Sequence, residues 1–379
     1  MNKVALCPSR VLAPSGFEDD RCVLINGRTI IDVVPVSDVP SDAERRDLEG
    51  TLVPGFIDLQ VNGGGGVLFN DEPSVEGIEA IARAHRRFGT TGLFPTLISD
   101  DLDVVKRAIA AMDAAIRRGV PGVLGIHIEG PFLNPQKKGI HDPSKFRTLD
   151  FHAIELLSSL RSGRTLVTLA PELAPPGAIR ALTERGVLVA AGHTEASYEE
   201  MQAAFEEGLG GFTHLYNAMT QLGSRAPGAV GAALENRDSW CGIIVDGHHV
   251  HPAALRVALA AKGADRLALV TDAMPTVGSE RKEFQLGGRR IVAENGRCTD
   301  AEGTLAGSDL DMAQAVRNAQ RMLGVDLAAA VRMASAVPAA AIGIENETGA
   351  IKAGLRADLV LLDPEGRVLE SWIEGELPN

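Results

Sequence analysis

The sequence predicts an α/β protein: a (β/α)8 TIM-like barrel carrying a small β-sandwich built from both termini. Three observations predict it. Between residues 53 and 350, apolar strand-like runs alternate with amphipathic helical ones, eight times over about 220 residues, the count and length of such a barrel. Both chain ends are β-rich, and neither has enough apolar surface to stand alone. The polar residues of the middle gather at the C-terminal ends of the strand runs, which a barrel brings together around one mouth and an open sheet strings along an edge.

The N-terminal part of the sandwich, residues 1–52, contains KVALC, CVLING and TIIDVVPV, all apolar, β-branched and punctuated by Pro, Gly and Asp. Its C-terminal part, 351–379, contains RADLVLLDPEGRVLESWIEGE, two strands joined by the turn Asp363-Pro364-Glu365-Gly366. The strand candidates of the middle are 56–62, 91–97, 123–129, 166–171, 187–193, 211–216, 241–246 and 267–272. Between them, VEGIEAIARAHRRFG, DLDVVKRAIAAMDAAIRRG, YEEMQAAFEEG and HPAALRVALAAKG place apolar residues near i, i+3, i+4 and i+7, each ending in Gly. A doubly wound open sheet is the alternative, because periodicity does not report closure. Residues 276–306 break the pattern with a hairpin, EFQLGGRRIVAENGRC, read either as a cover for the mouth or as a plain surface hairpin. Two helical stretches follow, DLDMAQAVRNAQRML and DLAAAVRMASAVPAAAIG.

Composition removes several function classes. Thirty-seven basic residues against 50 acidic ones leave a net charge of −13, which disfavours nucleic acid and anionic membrane, since both need a basic footprint. Only 4% of residues are aromatic, too few for a base-stacking surface. A phosphorylated small molecule stays admissible, because it needs only local donors. The N-terminus lacks a basic start followed by an apolar core, and no window holds 18 consecutive apolar residues, so a cytoplasmic protein is expected. Cys7, Cys22, Cys241 and Cys298 have no CxxC spacing and are expected as free thiols in a reducing compartment.

Glu129 in GIHIEGPF, His193 in VAAGHTEAS and His214 in GFTHLYNAM close the third, fifth and sixth strand candidates. A carboxylate with two imidazoles is a normal donor set for catalytic Zn2+ or Fe2+, with positions open for water and substrate. No compact motif spans their spacing, and a single histidine after a strand is more often a hydrogen-bonded loop residue than a ligand. Glu129 is the more telling, because an unpaired carboxylate directly after an apolar strand is costly. Asp272 ends LALVTDAM, where a carboxylate could take a proton from an attacking water and hand one to a leaving amine; its alternative is an Asx-turn.

The dispersed segments LVPGFIDLQVNGGGG (52–66), HIEGPFLNPQKKGIH (127–141), AGHTEAS (191–197), THLYNAM (213–219), VDGHHVH (245–251), TDAM (271–274), GTLAGS (303–308) and GLRADLVLLD (354–363) occur in order over nearly the whole chain. In them the sequence resembles the N-acetylglucosamine-6-phosphate deacetylases of the amidohydrolase superfamily. That resemblance implies that Glu129, His193 and His214 hold the catalytic metal, and that Asp272 activates water and protonates the departing glucosamine nitrogen. It implies that His141 polarises the acetyl carbonyl, while Asn217, Ala218, His249 and Arg225 bind the sugar phosphate. The arginine would reach into the neighbouring subunit's site, which implies a homodimer. His248 and His251 stay unassigned, and on composition alone Arg225, in GSRAPG, is a solvated loop residue.

Many amidohydrolases carry His-x-His at the end of strand one, holding a second ion, and this chain has Gln60-Val61-Asn62 there. Neutral amides are poor transition-metal ligands. One divalent transition metal per subunit is therefore expected, Zn2+ first and Fe2+, Co2+ or Mn2+ also accepted by these donors, a weak second site staying open. Gln60 and Asn62 would hydrogen-bond near the active water or the substrate. The expected reaction is hydrolysis of the acetamide of N-acetyl-D-glucosamine 6-phosphate in amino-sugar metabolism, with N-acetylgalactosamine 6-phosphate as the alternative substrate. A non-enzymatic sugar-phosphate sensor would have no need of Asp272 or a metal. The GGGG run at 63–66 lacks the lysine and hydroxyl of a nucleotide-binding P-loop.

Overall fold

The computed structural model describes residues 3–377. Eight parallel strands form one sheet in chain order: Phe56–Val61, Thr90–Ile98, Gly125–Glu129, Arg164–Leu169, Leu188–Ala191, Gly211–Phe212, Trp240–Ile243 and Leu267–Leu269. Each strand pairs with the next, whereas a doubly wound sheet reverses its order at a switch point. The first two strands are buried at every residue, as parallel strands filled on one side and covered by helices on the other must be.

The seam between the eighth strand and the first closes beyond the last ladder residue, at the level of the mouth. There Asp272 N–H donates to Gln60 O at 3.0 Å and Asn62 N–H to Ala273 O at 2.9 Å. A buried side chain adds to this closure: the Asp58 carboxylate accepts from Thr271 N–H at 3.2 Å and from the Thr271 hydroxyl at 2.5 Å.

Several outer helices start where side chains replace the missing first-turn partners. Ser74 accepts from Gly77 N–H, Ser197 forms a reciprocal capping box with Glu200, and Asp150, Asp311 and Asp326 cap the helices that follow them. Their apolar faces, such as Ile78, Ile81, Val105, Ile109 and Met112, pack into the same core as the barrel strands.

The two chain ends meet as expected, and their strands are hydrogen-bonded into a single seven-stranded sheet. The C-terminal strand Leu359–Leu362 pairs antiparallel with Glu44–Pro54, setting Leu361 opposite Leu52. Period-two alternation sorts this sheet's side chains: Leu52, Leu359 and Leu361 enter its own core, while Val53, Val360 and Leu362 join the barrel core.

One expectation is corrected here. Cys7 and Cys22 are joined by a disulfide, and only Cys241 and Cys298 are free, both buried. The antiparallel register that sets Leu6 opposite Val23 puts these two cysteines face to face, with a Cα–Cα distance of 4.2 Å. Sequence spacing carries no information about that register.

The hairpin expected within 276–306 is part of a four-stranded antiparallel sheet, Glu283–Leu286, Arg289–Glu294, Arg297–Thr299 and Leu305–Ser308. Phe284, Leu286, Ile291 and Ala306 pack it onto Leu68, Ile98 and Met274 beside the mouth. Its last strand docks on the end of the barrel's eighth: Ser308 N–H donates to Asp272 O and Met274 N–H to Ser308 O, both at 2.9 Å.

Candidate active site

Three chemically loaded residues share an unusual backbone. His193, His214 and Asp272 have φ of 49°, 33° and 52°, the left-handed region that non-glycine residues seldom occupy. Each lies two or three residues beyond the end of a barrel strand, and each lines the mouth. Such conformations cost on the order of 1–3 kcal/mol each and persist where surrounding bonds over-determine them. The bonds are present: His193 O accepts from Asn134 N–H at 2.9 Å, and Asp272 is tied on both sides, to the first barrel strand and to the insertion sheet.

Glu129, His193 and His214 converge. Their ligand atoms lie within 4.8 Å of one another, and all three residues are buried. The Nε2 atoms of the two histidines are 3.1 Å apart, and each faces Glu129 Oε1, His193 at 3.3 Å and His214 at 2.9 Å. Ligands held about 2.0–2.1 Å from a tetrahedral ion stand roughly 3.3 Å apart, so this triangle fits one divalent metal. The His193 Nδ1–H donates to Lys137 O at 2.7 Å, leaving Nε2 with its lone pair toward the triangle. Burial alone would raise the Glu129 pKa, but the neighbouring His193 and His214 imidazoles outweigh it and hold the carboxyl well below the usual range. An ionised Glu129 beside two buried imidazoles is a donor set that a cation would fill.

Asp272 faces the same cavity. Its Oδ1 accepts from Asn62 Nδ2 at 2.6 Å and from Gln60 Nε2 at 3.1 Å, and the Gln60 amide also reaches both Glu129 oxygens at 3.2 and 3.3 Å. The Gln60 amide therefore stands between two carboxylates and Asn62 holds one of them, at the positions where other amidohydrolases place His-x-His. Burial first, and the nearby Glu129 charge second, push Asp272 up to about 6. Asn62 Oδ1 is buried without a partner and its residue lines the cavity, so an acceptor is left for a ligand. Gln60 spends its Nε2 on the two carboxylates and is absent from the cavity wall.

His141 lines the wall with its Nδ1 occupied as an acceptor, from the Ser99 hydroxyl at 2.8 Å and Ser99 N–H at 3.3 Å. Its neutral ring therefore carries the proton on Nε2. Burial pushes its pKa down to about 3 and keeps it neutral. His249 also lines the wall; its Nδ1 is 2.6 Å from Asp246 Oδ2, which leaves Nε2 for a ligand. Burial would raise Asp246, but its hydrogen bond with His249 prevails and holds it low. Of the unassigned histidines, His251 caps the helix Pro252–Lys262 and His248 bonds Asn295 O.

Asn217 and Ala218 line the cavity, the Asn217 amide turned back onto His214 O at 3.1 Å. Arg225 does not: it lies on an exposed loop, and among the described residues no Lys or Arg lines this cavity. The remaining wall comes from Thr304, Leu305 and Gly307, so the insertion sheet is part of the mouth. Sequence reading passed over Ser99, Asp58 and Glu172. Ser99 and Asp58 carry the signal used for the others, a polar residue within or just after an apolar strand. Glu172 sits in a proline-rich turn that reads as plain surface.

Comparison with known proteins agrees with this geometry. Over 328 residues the chain is 47% identical to N-acetylgalactosamine-6-phosphate deacetylase of Shewanella sp. (strain ANA-3), covering 86% of this chain and 83% of that one. It is 36% identical over 361 residues to N-acetylglucosamine-6-phosphate deacetylase of Haemophilus influenzae, covering 94% of each. The crystal structure of N-acetylglucosamine-6-phosphate deacetylase from Pasteurella multocida superposes with a TM-score of 0.96 at 34% identity, covering 99% of both chains. Residues 51–377 match the amidohydrolase family, and with the barrel, the Glu-His-His triangle and these likenesses the chain belongs to it.

Proposed function

We propose that this enzyme hydrolyses the acetamide of N-acetyl-D-glucosamine 6-phosphate, releasing acetate and D-glucosamine 6-phosphate. The observation that carries the reading is the convergence on one cavity of the Glu129–His193–His214 triangle, the Asp272 carboxylate and the His141 ring. Bound there, a divalent transition metal, Zn2+ first, would supply Lewis-acid chemistry, acidifying water and polarising the acyl oxygen. Asp272, its Oδ1 held by Gln60 and Asn62, keeps Oδ2 free to take the proton of the attacking water and return it to the amine as the C–N bond breaks. His141 offers its Nε2–H to the carbonyl oxygen as negative charge builds there. Asn62 Oδ1 and His249 Nε2 remain to receive donors from the sugar or its amide.

The phosphate requires charge-assisted donors that the cavity wall of one chain lacks. Arg225, exposed on its loop, would supply them to a second copy of the chain, with Asn217 and Ala218 completing the phosphate site in a homodimer. The cytoplasmic setting belongs to the same reading, since a doubly charged sugar phosphate does not cross a bilayer unaided.

The 47% likeness to a galactosamine-type enzyme supports a second reading, the C4 epimer as substrate. Measuring kcat/KM for acetate release from both phosphorylated epimers and from unphosphorylated N-acetylglucosamine tests the proposal. Preference for the glucosamine ester over both others is expected; preference for the galactosamine ester moves the assignment to that epimer, and turnover of none refutes it.

A further inference from the structure

We propose that Glu172 is a positioning residue that sets the orientation of His193. It lies just after the fourth barrel strand, in the turn Pro171–Leu173, half-buried and outside the cavity wall. Its carboxylate joins two other loops. Oε1 accepts from Asn134 Nδ2 at 3.0 Å and from Glu195 N–H at 2.7 Å, and Oε2 accepts from the Thr194 hydroxyl. Thr194 and Glu195 directly follow His193, whose backbone is left-handed with φ 49°. Asn134 begins the loop that grips His193 twice, by Asn134 N–H to His193 O at 2.9 Å and by Lys137 O to the His193 ring at 2.7 Å.

The carboxylate is therefore the common acceptor of the segment that strains His193 and of the loop that fixes its tautomer. Three donors converge on it, and only an acceptor-only side chain with two oxygens serves them all. A glutamine keeps the two bonds at Oε1 and turns an N–H toward the Thr194 hydroxyl, which already accepts from Ala196 N–H at 2.9 Å. An alanine leaves all three donors without their partner. Groups that orient a metal-ligating imidazole commonly change metal affinity about ten- to a hundredfold when lost.

The proposal rests on the metal reading of Glu129, His193 and His214, and the test separates the two. Zn2+ affinity is measured by chelator competition, without substrate, on the wild type, E172A, E172Q, T194V and H193A, with thermal unfolding in parallel. T348A, which removes a buried hydroxyl bonded to Asp358 in the terminal sheet, serves as a destabilised control. Expected are a Zn2+ Kd raised about ten- to a hundredfold in E172A, smaller rises in E172Q and T194V, and none in T348A. Wild-type affinity in E172A, or in both E172Q and T194V should E172A not fold, overturns the role of Glu172. Wild-type affinity in H193A would instead overturn the ligand set itself.

Discussion

In the proposed reaction Asp272 serves as the base only when ionised, so the residues that set its charge would set the acid limb of the pH profile. Burial and Glu129 push it up to about 6, and the Asn62 hydrogen bond pulls against them. A bound dication also favours the ionised form, which places the limb at or below that value. Activity is gained as pH rises through it. Replacing Asn62 by Ala removes a donor to the carboxylate, and the acid limb of kcat/KM is expected to move to higher pH; a limb that stays in place would mean that Asn62 serves only the substrate. Asp58 acts on stability instead. Burial raises it from 3.8 to about 7, so between these values the folded state holds a proton that the unfolded state releases. Its contribution to stability therefore falls as pH rises from about 4 to 7 and is constant above. Thermal melts of the wild type and D58N across this range should show the wild type losing ground to the variant as pH rises. A gap independent of pH would contradict a neutral buried Asp58.

The insertion sheet touches the Asp272 turn through its last strand. Gly307, with φ 60°, lies against the turn that carries Asp272, and a Cβ there would stand 2.7 Å from Asp272 O and from Met274 Cγ. G307A is expected to lower kcat at least about tenfold, because a misplacement of that size near reacting groups is costly; wild-type kcat would make the sheet a wall only. This contact was not legible in the sequence, although the barrel was. Eight apolar runs ending in polar residues imply strands and a mouth whatever the loop lengths. The helix Gly228–Glu235 escaped because its residues are buried nearly all round and show no amphipathic contrast, and Phe151–Leu157 and Ala178–Thr183 are too short for a period. The candidate site residues at strand ends were readable one by one. The bonds among them were not: Gln60 on two carboxylates, Glu172 on two loops and Cys7 opposite Cys22 each depend on register between segments distant in sequence.

At the scale of the whole molecule, a chain of net charge −13 that binds a phosphate dianion must gather positive charge locally. Its own cavity wall holds no Lys or Arg, and Arg225 stands exposed on a loop outside it. A two-fold dimer solves this if each loop enters the partner's mouth, and an isologous interface then delivers both arginines at once. Loss of one charge-assisted contact should lower kcat/KM on the phosphorylated substrate about ten- to a hundredfold in R225A, while D272N loses turnover through its base. Each variant dimer is then defective at both sites. Co-expressed with different tags, the two chains form hybrid dimers in which one site combines Asp272 of the R225A chain with Arg225 of the D272N chain. That site is native and the other lacks both groups, so random pairing should restore about a quarter of wild-type activity. An arginine acting within its own chain would give no recovery, because every site would still lack either the base or the phosphate contact.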